Sequence, residues 1–427
     1  MERILAFGHT TFSSLKVRNY RLYFIGQAVS LCGTWMQTIG QAWLVLKITG
    51  SGTALGVITA LQFLPILIFG PFGGVIADRF AKRKILYFTQ SLSGILALIL
   101  GILVMTDKVE LWMVGVLALG LGMVNAIDNP TRQTFVLEMV DAERLGNAVS
   151  LNSMEINLAR VIGPAIAGIL IAGVGLAWCF MINAFSYVGV LAALILMHGR
   201  ELTPPPRVTR MRGQLMEGFR YIAATPLLRN TLLMMAVIGT LAYEFIVSLP
   251  LLAEFTFHAG PHGYAALTGA MGLGSVLGGL FFTARRHTAS PRLLIRAAML
   301  LGGSMLLAAL APNYTLAIVA LVLIGIFSIN FTSLGNVLLQ VESAPKMRGR
   351  VMALWTVAFL GSTPIGGPII GWIGEHQGPR WGIALGGLAA LAAAGLGAMT
   401  IGKAPAFEIL ENIETSQETA AELGKRV

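Results

Sequence analysis

Apolar residues in this chain neither alternate nor recur at helical spacing. They run on for roughly 20 positions and stop at short polar or charged turns. At 1.5 Å per residue a run of that length spans a hydrocarbon layer about 30 Å thick. Twelve runs stand out, near 20–46, 53–77, 85–105, 111–133, 146–172 and 176–197, then near 230–252, 264–284, 293–311, 314–338, 350–373 and 381–402. A transmembrane barrel needs alternation over about 10 residues, and that pattern is missing. The pattern predicts an all-α integral membrane protein with twelve transmembrane helices.

The runs divide into two sixes that look like copies. At a constant offset of 203 residues, Gly122 matches Gly325, Gly146 matches Gly349 and Leu151 matches Leu354. The same offset aligns Ile162-Gly163-x-x-Ile166-x-Gly168 with Ile365-Gly366-x-x-Ile369-x-Gly371. Two pseudo-symmetric six-helix bundles follow, over residues 1–197 and 230–402. A linker over 198–229 joins them and a tail runs over 403–427. The linker holds Pro204-Pro205-Pro206, which break any helix, and six arginines; Gln214 to Ala224 suits a short helix on the membrane surface. The tail, with Glu408, Glu411, Glu414, Glu418 and Glu422, reads as a solvated, partly helical extension.

Composition and charge sharpen this picture. The chain is 56% hydrophobic, 12% charged and carries 50 glycines. A soluble protein would hold about twice that charge, whereas glycine is common where membrane helices approach closely. The formal net charge of +10 reflects membrane topology rather than a nucleic-acid partner. With the N terminus inside, 26 of the 30 Lys and Arg residues fall in cytoplasmic loops, helix ends and tails. Only Lys47, Lys108 and Arg380 lie outside, and Arg160 falls within a span. This asymmetry places both termini in the cytoplasm. The first run is too long for a signal-peptide core and reads as the first span. Expected is a multi-pass cell-membrane protein, in the inner membrane of a Gram-negative cell.

Reactive chemistry is scarce. The six histidines make no metal-ligand spacing, no phosphate-cradling loop is present, and Cys32 and Cys179 sit in separate spans as small apolar side chains. The chain is read as no enzyme, with no metal and no cofactor. The informative residues are polar groups inside spans, where they are costly. Asp128 shares a helix face with Asn125 and Arg132, and Pro130 interrupts the ladder there. A protonatable carboxylate and a structural ion pair both fit. Glu155 lies about 15 Å into the fifth span, where desolvation disfavours its charged form. Glu244 is similarly deep in the seventh. Asp128, Glu155 and Glu244 are the proton-coupling candidates. Gln37 and Gln41 share one face; with Trp35, Gln62, Asn157, Arg160, Asn183, Asn330 and Asn336 they suit a substrate cavity or polar contacts between helices. Gly163-Pro164 with Gly168, and Gly366-Gly367-Pro368, suit close helix packing and gating.

Gly74-Val-Ile-Ala-Asp78-Arg79-Phe-Ala81-Lys82-Arg83-Lys84 joins the second and third spans. It resembles the GxxxDRxGRK signature of the major facilitator superfamily. Gly74, Asp78, Arg79, Lys82 and Arg83 fit the pattern, and Ala81 replaces a glycine. The equivalent loop near Gly279–Arg286 lacks the acid. The Gly-Pro segment of the fifth span is similar to the motif of the family's antiporters. Asp128 and the run Arg144-Leu-Gly-Asn-Ala resemble the macrolide-efflux and enterobactin-exporter branch of drug:proton antiporters. The resemblance implies the major facilitator fold and a loop at Gly74–Lys84 that locks one conformation, Asp78 meeting the start of the eleventh helix. The fourth-span arginine of many drug antiporters has no clear match, so which acid carries the proton stays open.

These readings converge on a monomeric, proton-coupled exporter of amphipathic small molecules, of drug or siderophore type, working by alternating access. Its partners are the substrate, protons and the lipid bilayer. The same fold also serves importers and lysophospholipid flippases, and a non-transporting receptor or scaffold is the rival from another class.

Overall fold

The computed structural model describes residues 13–203, 214–284, 288–344, 347–400 and 407–408. After a 3-10 turn over Ser13–Lys16 come α1 (Arg18–Thr49), α2 (Gly52–Arg79), α3 (Lys82–Met105), α4 (Leu111–Met139), α5 (Ala142–Gly173) and α6 (Ala177–Leu196). The chain continues with α7 (Gln214–Ala224), α8 (Pro226–Leu241), α9 (Phe245–Leu251), α10 (Gly260–Ala284), α11 (Pro291–Leu310), α12 (Tyr314–Glu342), α13 (Arg348–Leu360), α14 (Thr363–His376) and α15 (Pro379–Thr400). Among the described residues, eleven helical stretches are long and apolar enough to cross a membrane. The first span, α1, falls below that hydropathy although it has 32 residues. The reason is a polar stripe, described below, along the whole helix.

Two spans are broken where the sequence suggested continuous rods. The seventh is α8, a gap at Ala242–Glu244, α9 and a π-helical turn over Leu252–Thr256. The eleventh is α13, a break at Gly361–Ser362, and α14. The second break follows from Gly361 and from Pro364, which has no N–H for the Leu360 carbonyl. The first has no comparable signal in the sequence.

The described residues form two compact units that do not follow the sequence halves. The described residues of one fall within 1–210, 244–272 and 363–382, and those of the other within 211–243, 273–362 and 383–427. The chain passes between them at both helix breaks.

In the first unit, α2 packs along α14 through paired small residues. Gly52 and Gly56 of α2 face Gly371 and Gly367 of α14, and a Cβ added at Gly52, Gly56 or Gly371 would collide with facing backbone. Each helix thus presents a glycine every fourth position, the spacing that lets membrane helices touch backbone to backbone. Glu375 near the end of α14 accepts from Ser51 Oγ (2.7 Å) and from the Thr53 amide (2.8 Å), so a carboxylate sits at the N terminus of α2. At the other end, Tyr20, Tyr23, Leu86, Phe135, Met139, Leu151 and Leu194 make a hydrophobic cluster. Tyr20 donates to the Ala148 carbonyl at 2.9 Å. Asn147 of the Arg144–Ala148 run accepts from the Ser14 amide at 3.0 Å, which ties the chain's start to α5. Trp112, Trp178, Trp372 and Trp381 are exposed at helix ends opposite the basic loops, as an interfacial belt requires.

In the second unit, α7 forms over the stretch expected for a surface helix. It is held by Glu217 to Arg350 (2.6 Å) and by Tyr221 Oη to the Ala344 amide (3.0 Å). The tail residues described, Phe407–Glu408, form a two-residue strand antiparallel to Thr288–Ala289 rather than a helix. The three linker prolines and the remaining tail glutamates lie outside the described residues.

Candidate functional site

The stripe on α1 builds the site. Gln27, Ser30, Thr34, Gln37, Thr38 and Gln41 recur every three or four residues and so share one face. Gln62 of α2, Gln90 and Ser93 of α3, Asn125, Asp128 and Arg132 of α4, and Asn183 and Tyr187 of α6 complete a polar cavity of about 50 Å³ within the first unit. That volume holds a few water molecules; an amphipathic substrate needs several hundred Å³. Gln27 Nε2 and Gln90 Oε1 are buried without a protein partner. In a polar cavity of this size such groups bond to water.

Asp128 anchors the cavity wall and is 3% exposed. Its Oδ2 lies 2.7 Å from Arg132 Nε, and its Oδ1 accepts from Thr89 Oγ1 (2.6 Å) and Gln90 Nε2 (2.9 Å). Arg132 also donates to Asn129 Oδ1 (2.9 Å) and to Gln27 Oε1 (3.4 Å). The carboxylate is therefore held by two hydrogen bonds from α3 and by the charge of Arg132 on its own helix. The shared face of Asn125, Asp128 and Arg132 is real, and α4 continues through Pro130 as one helix. Pro130 has no N–H for the Ala126 carbonyl. α2 brings Gly73 against that freed oxygen, where any larger residue would clash.

Glu155 contrasts with Asp128. It is 5% exposed, and its Oε1 is buried with no hydrogen-bond partner among the described residues. Arg160, five residues on, places its guanidinium over the Trp35 ring at 5.0 Å. Gly163 packs against the α1 backbone at Cys32 and the Trp35 Cβ, and Gly168 packs against Ala265 of α10. Asn157 donates to the Ser153 carbonyl of its own helix at 2.8 Å.

Glu244 is not buried in a continuous helix. It stands at the break before α9, 3% exposed, with Oε1 unpartnered. Thr363 at the start of α14 bonds to it, and Gly367 lies beside it. Gln37 accepts from Asn183 Nδ2 (2.6 Å), and Gln41 donates to Gln62 Oε1 (2.9 Å). Asn330 and Asn336 belong to α12 in the second unit. Asn330 donates to the Ile326 carbonyl at 2.7 Å, and Asn336 accepts from Gln340. Gly74, Asp78 and Arg79 close α2, with Arg79 exposed. Lys82 and Arg83 do structural work in the same unit. Lys82 Nζ makes a buried ion pair with Glu138 at 2.7 Å; Arg83 donates to the Leu194 and Ile195 carbonyls at the end of α6.

The stripe residues Gln27, Ser30 and Thr34 and the Asp128 partners Thr89 and Gln90 were not singled out from the sequence. The periodicity that would have found the first three is plain beside Gln37 and Gln41. Thr89 and Gln90 carry no such signal, because only packing of α3 on α4 brings them to Asp128. No cluster of metal-ligating residues occurs among the described residues.

The chain matches the family described as transmembrane secretion effector over residues 9–425. It is 27% identical over 389 residues to the enterobactin exporter EntS of Shigella flexneri, covering 90% of each chain. Among solved structures it is similar to a peptide-complexed transporter of the POT family (TM-score 0.70, 12% identity, 88% of this chain and 94% of that one). It is also similar to a bacterial homologue of the human lysosomal transporter Spinster (TM-score 0.68, 16% identity, 91% and 98%). The chain therefore belongs to the transmembrane secretion effector family within the major facilitator superfamily, and is a multi-pass, secondary-active membrane transporter rather than an enzyme.

Proposed function

We propose that this transporter exports amphipathic small molecules of siderophore or drug type in exchange for protons, with Glu155 as the proton carrier and Asp128 as a fixed counter-charge. The observation that carries this reading is the contrast between the two acids. Asp128 is engaged by a cation and two neutral donors. Glu155 has a buried oxygen with no hydrogen-bond partner among the described residues, so protonation there relieves the cost of burying a charge. A carrier must change protonation during the cycle; a structural anion must not. Arg160 over Trp35 offers a cation and an aromatic face on the same helix pair, groups that suit an anionic aromatic substrate. The relatives named as enterobactin exporters support outward transport of such a molecule.

In everted membrane vesicles with an acidified interior, the protein should accumulate substrate. Glu155→Gln should abolish proton-driven accumulation while leaving counterflow exchange of substrate intact. Full-rate pumping by Glu155→Gln under a proton gradient would remove Glu155 from the mechanism. Substrate movement only in the opposite direction would favour an importer or flippase.

A further inference from the structure

Glu244 and Thr363, the residues that follow the two helix breaks, are bonded to each other. Glu244 also starts α9, because its carbonyl accepts from the Val247 and Ser248 amides and from Ser248 Oγ. One turn into α14 comes Gly367. A Cβ there would lie 3.1 Å from the Gly56 carbonyl oxygen of α2 and 3.7 Å from Glu244 Oε2. The acid therefore backs onto the glycine contact that joins α2 to α14. By sequence, α2 belongs to the first repeat and α14 to the second. Alternating access moves one repeat against the other, so this contact must part when the end away from the basic loops opens.

Two effects act on Glu244 with opposite sign. The first-turn amides of α14 lack intrahelical acceptors and, with Thr363, favour an anion. Burial at 3% exposure, with Oε1 unpartnered among the described residues, favours the neutral acid. Parting of α2 from α14 admits water and removes the second effect. We infer that Glu244 is a second protonation site, a switch whose neutral form holds α9, α14 and α2 together and whose anion lets them part. On closing, a hydronium ion at that end gives its proton to Oε1; on opening, the carboxyl returns it to the same water. A carrier such as Glu155 moves a proton from one side to the other, whereas this switch moves none across. The inference stands apart from the exchange mechanism, and either can fail alone.

Other charged groups on the helices packed against Glu244 stand at helix ends. They are Arg18, Arg21 and Lys47 on α1, Asp78 and Arg79 on α2, and Glu375 with His376 on α14, about 18 Å along that helix from Thr363. Glu254 lies in the π-helical turn beyond α9. Tyr243 turns its hydroxyl to the Ser328 carbonyl at 3.1 Å.

Spin labels at Lys47→Cys and Gln377→Cys, both exposed positions, read the separation of α1 and α14 at their shared end. The parent chain carries Cys32→Ala and Cys179→Ala to remove the native thiols. It also carries Glu375→Gln and His376→Gln, which remove the titratable groups nearest the labels. Glu375→Gln in addition weakens the bonds to Ser51 and Thr53, so that closed and open forms are both populated. Electron–electron distance measurements in nanodiscs then run from about pH 5 to about pH 9. Acidification should raise the ratio of short to long distances by up to about tenfold per pH unit, as linkage to one proton requires. Glu244→Gln, neutral at every pH, should stay in the short-distance form and lose that dependence. Thr363→Val should move the midpoint by about half a pH unit or more. A parent ratio that ignores pH, or pH dependence retained by Glu244→Gln, overturns the switch. If Glu244→Gln cannot be purified, Thr363→Val decides, and an unmoved midpoint overturns it equally. Full-rate pumping by Glu155→Gln bears on the carrier alone and leaves the switch standing.

Discussion

Replacing Asp128 with asparagine removes one charge and almost no volume. The ion pair with Arg132 closes at 2.7 Å between heavy atoms. With the delocalised charges about 4 Å apart and an effective dielectric near 20, their attraction is about 4 kcal/mol. Two further bonds, from Thr89 and Gln90, lose their charge assistance, at roughly 1 kcal/mol each. Relief of the aspartate's own desolvation offsets several kcal/mol. The asparagine also turns an N–H towards Arg132 Nε, which can only donate. A net loss of about 3 kcal/mol results, within the range for breaking a buried pair. That corresponds to an apparent melting temperature lower by about 5 °C or somewhat more. Thermal unfolding of purified protein in detergent, followed by tryptophan fluorescence or by loss of the monodisperse peak, reads the shift. Asp128→Asn combined with Arg132→Met removes the orphaned cation and should recover about half of the loss, a coupling that the double-mutant cycle isolates. A single variant that melts with the wild type, or a double variant no better than the single, refutes the reading of Asp128 and Arg132 as a coupled structural pair.

Other expectations follow from the same packing. Lys82→Met leaves Glu138 buried without its partner and should cost about 3–5 kcal/mol, whereas Lys82→Met with Glu138→Leu should melt near the wild type; equal melting of single and double variants would show the pair to be uncoupled. Gly56→Val drives two methyl groups into the Gly367–Pro368 backbone and should cost at least about 3 kcal/mol. Fluorescence-detected size exclusion should then show little folded protein, and a normal profile would mean that α2 and α14 do not meet as closely as described.

Much of the architecture was legible before any coordinates. Span length, the bias of basic residues and the glycine content dictate an all-helical membrane protein, because the bilayer permits no other use of unbroken apolar runs of that length. The Asp128–Arg132 pairing was legible as well, since i,i+4 residues meet on any helix. So were Gln37 and Gln41, two of the six residues of the polar stripe on α1. The sequence left open whether Asp128, Glu155 or Glu244 carries the proton, because it does not show which donors surround each acid.

What tertiary structure alone decided is who stands opposite whom. Thr89 and Gln90 reach Asp128 across a helix interface, Gln41 meets Gln62, Lys82 finds Glu138, and Glu375 settles on the start of α2 some 324 positions away along the chain. The break at Ala242–Glu244, and with it the setting of Glu244, was likewise invisible. The physical reason is common to all of these. Local sequence sets backbone conformation and one-helix faces through steric and hydrogen-bonding rules that act over a few residues. Partner choice between helices depends on which small residues let two backbones approach, and that is settled only when the whole bundle packs.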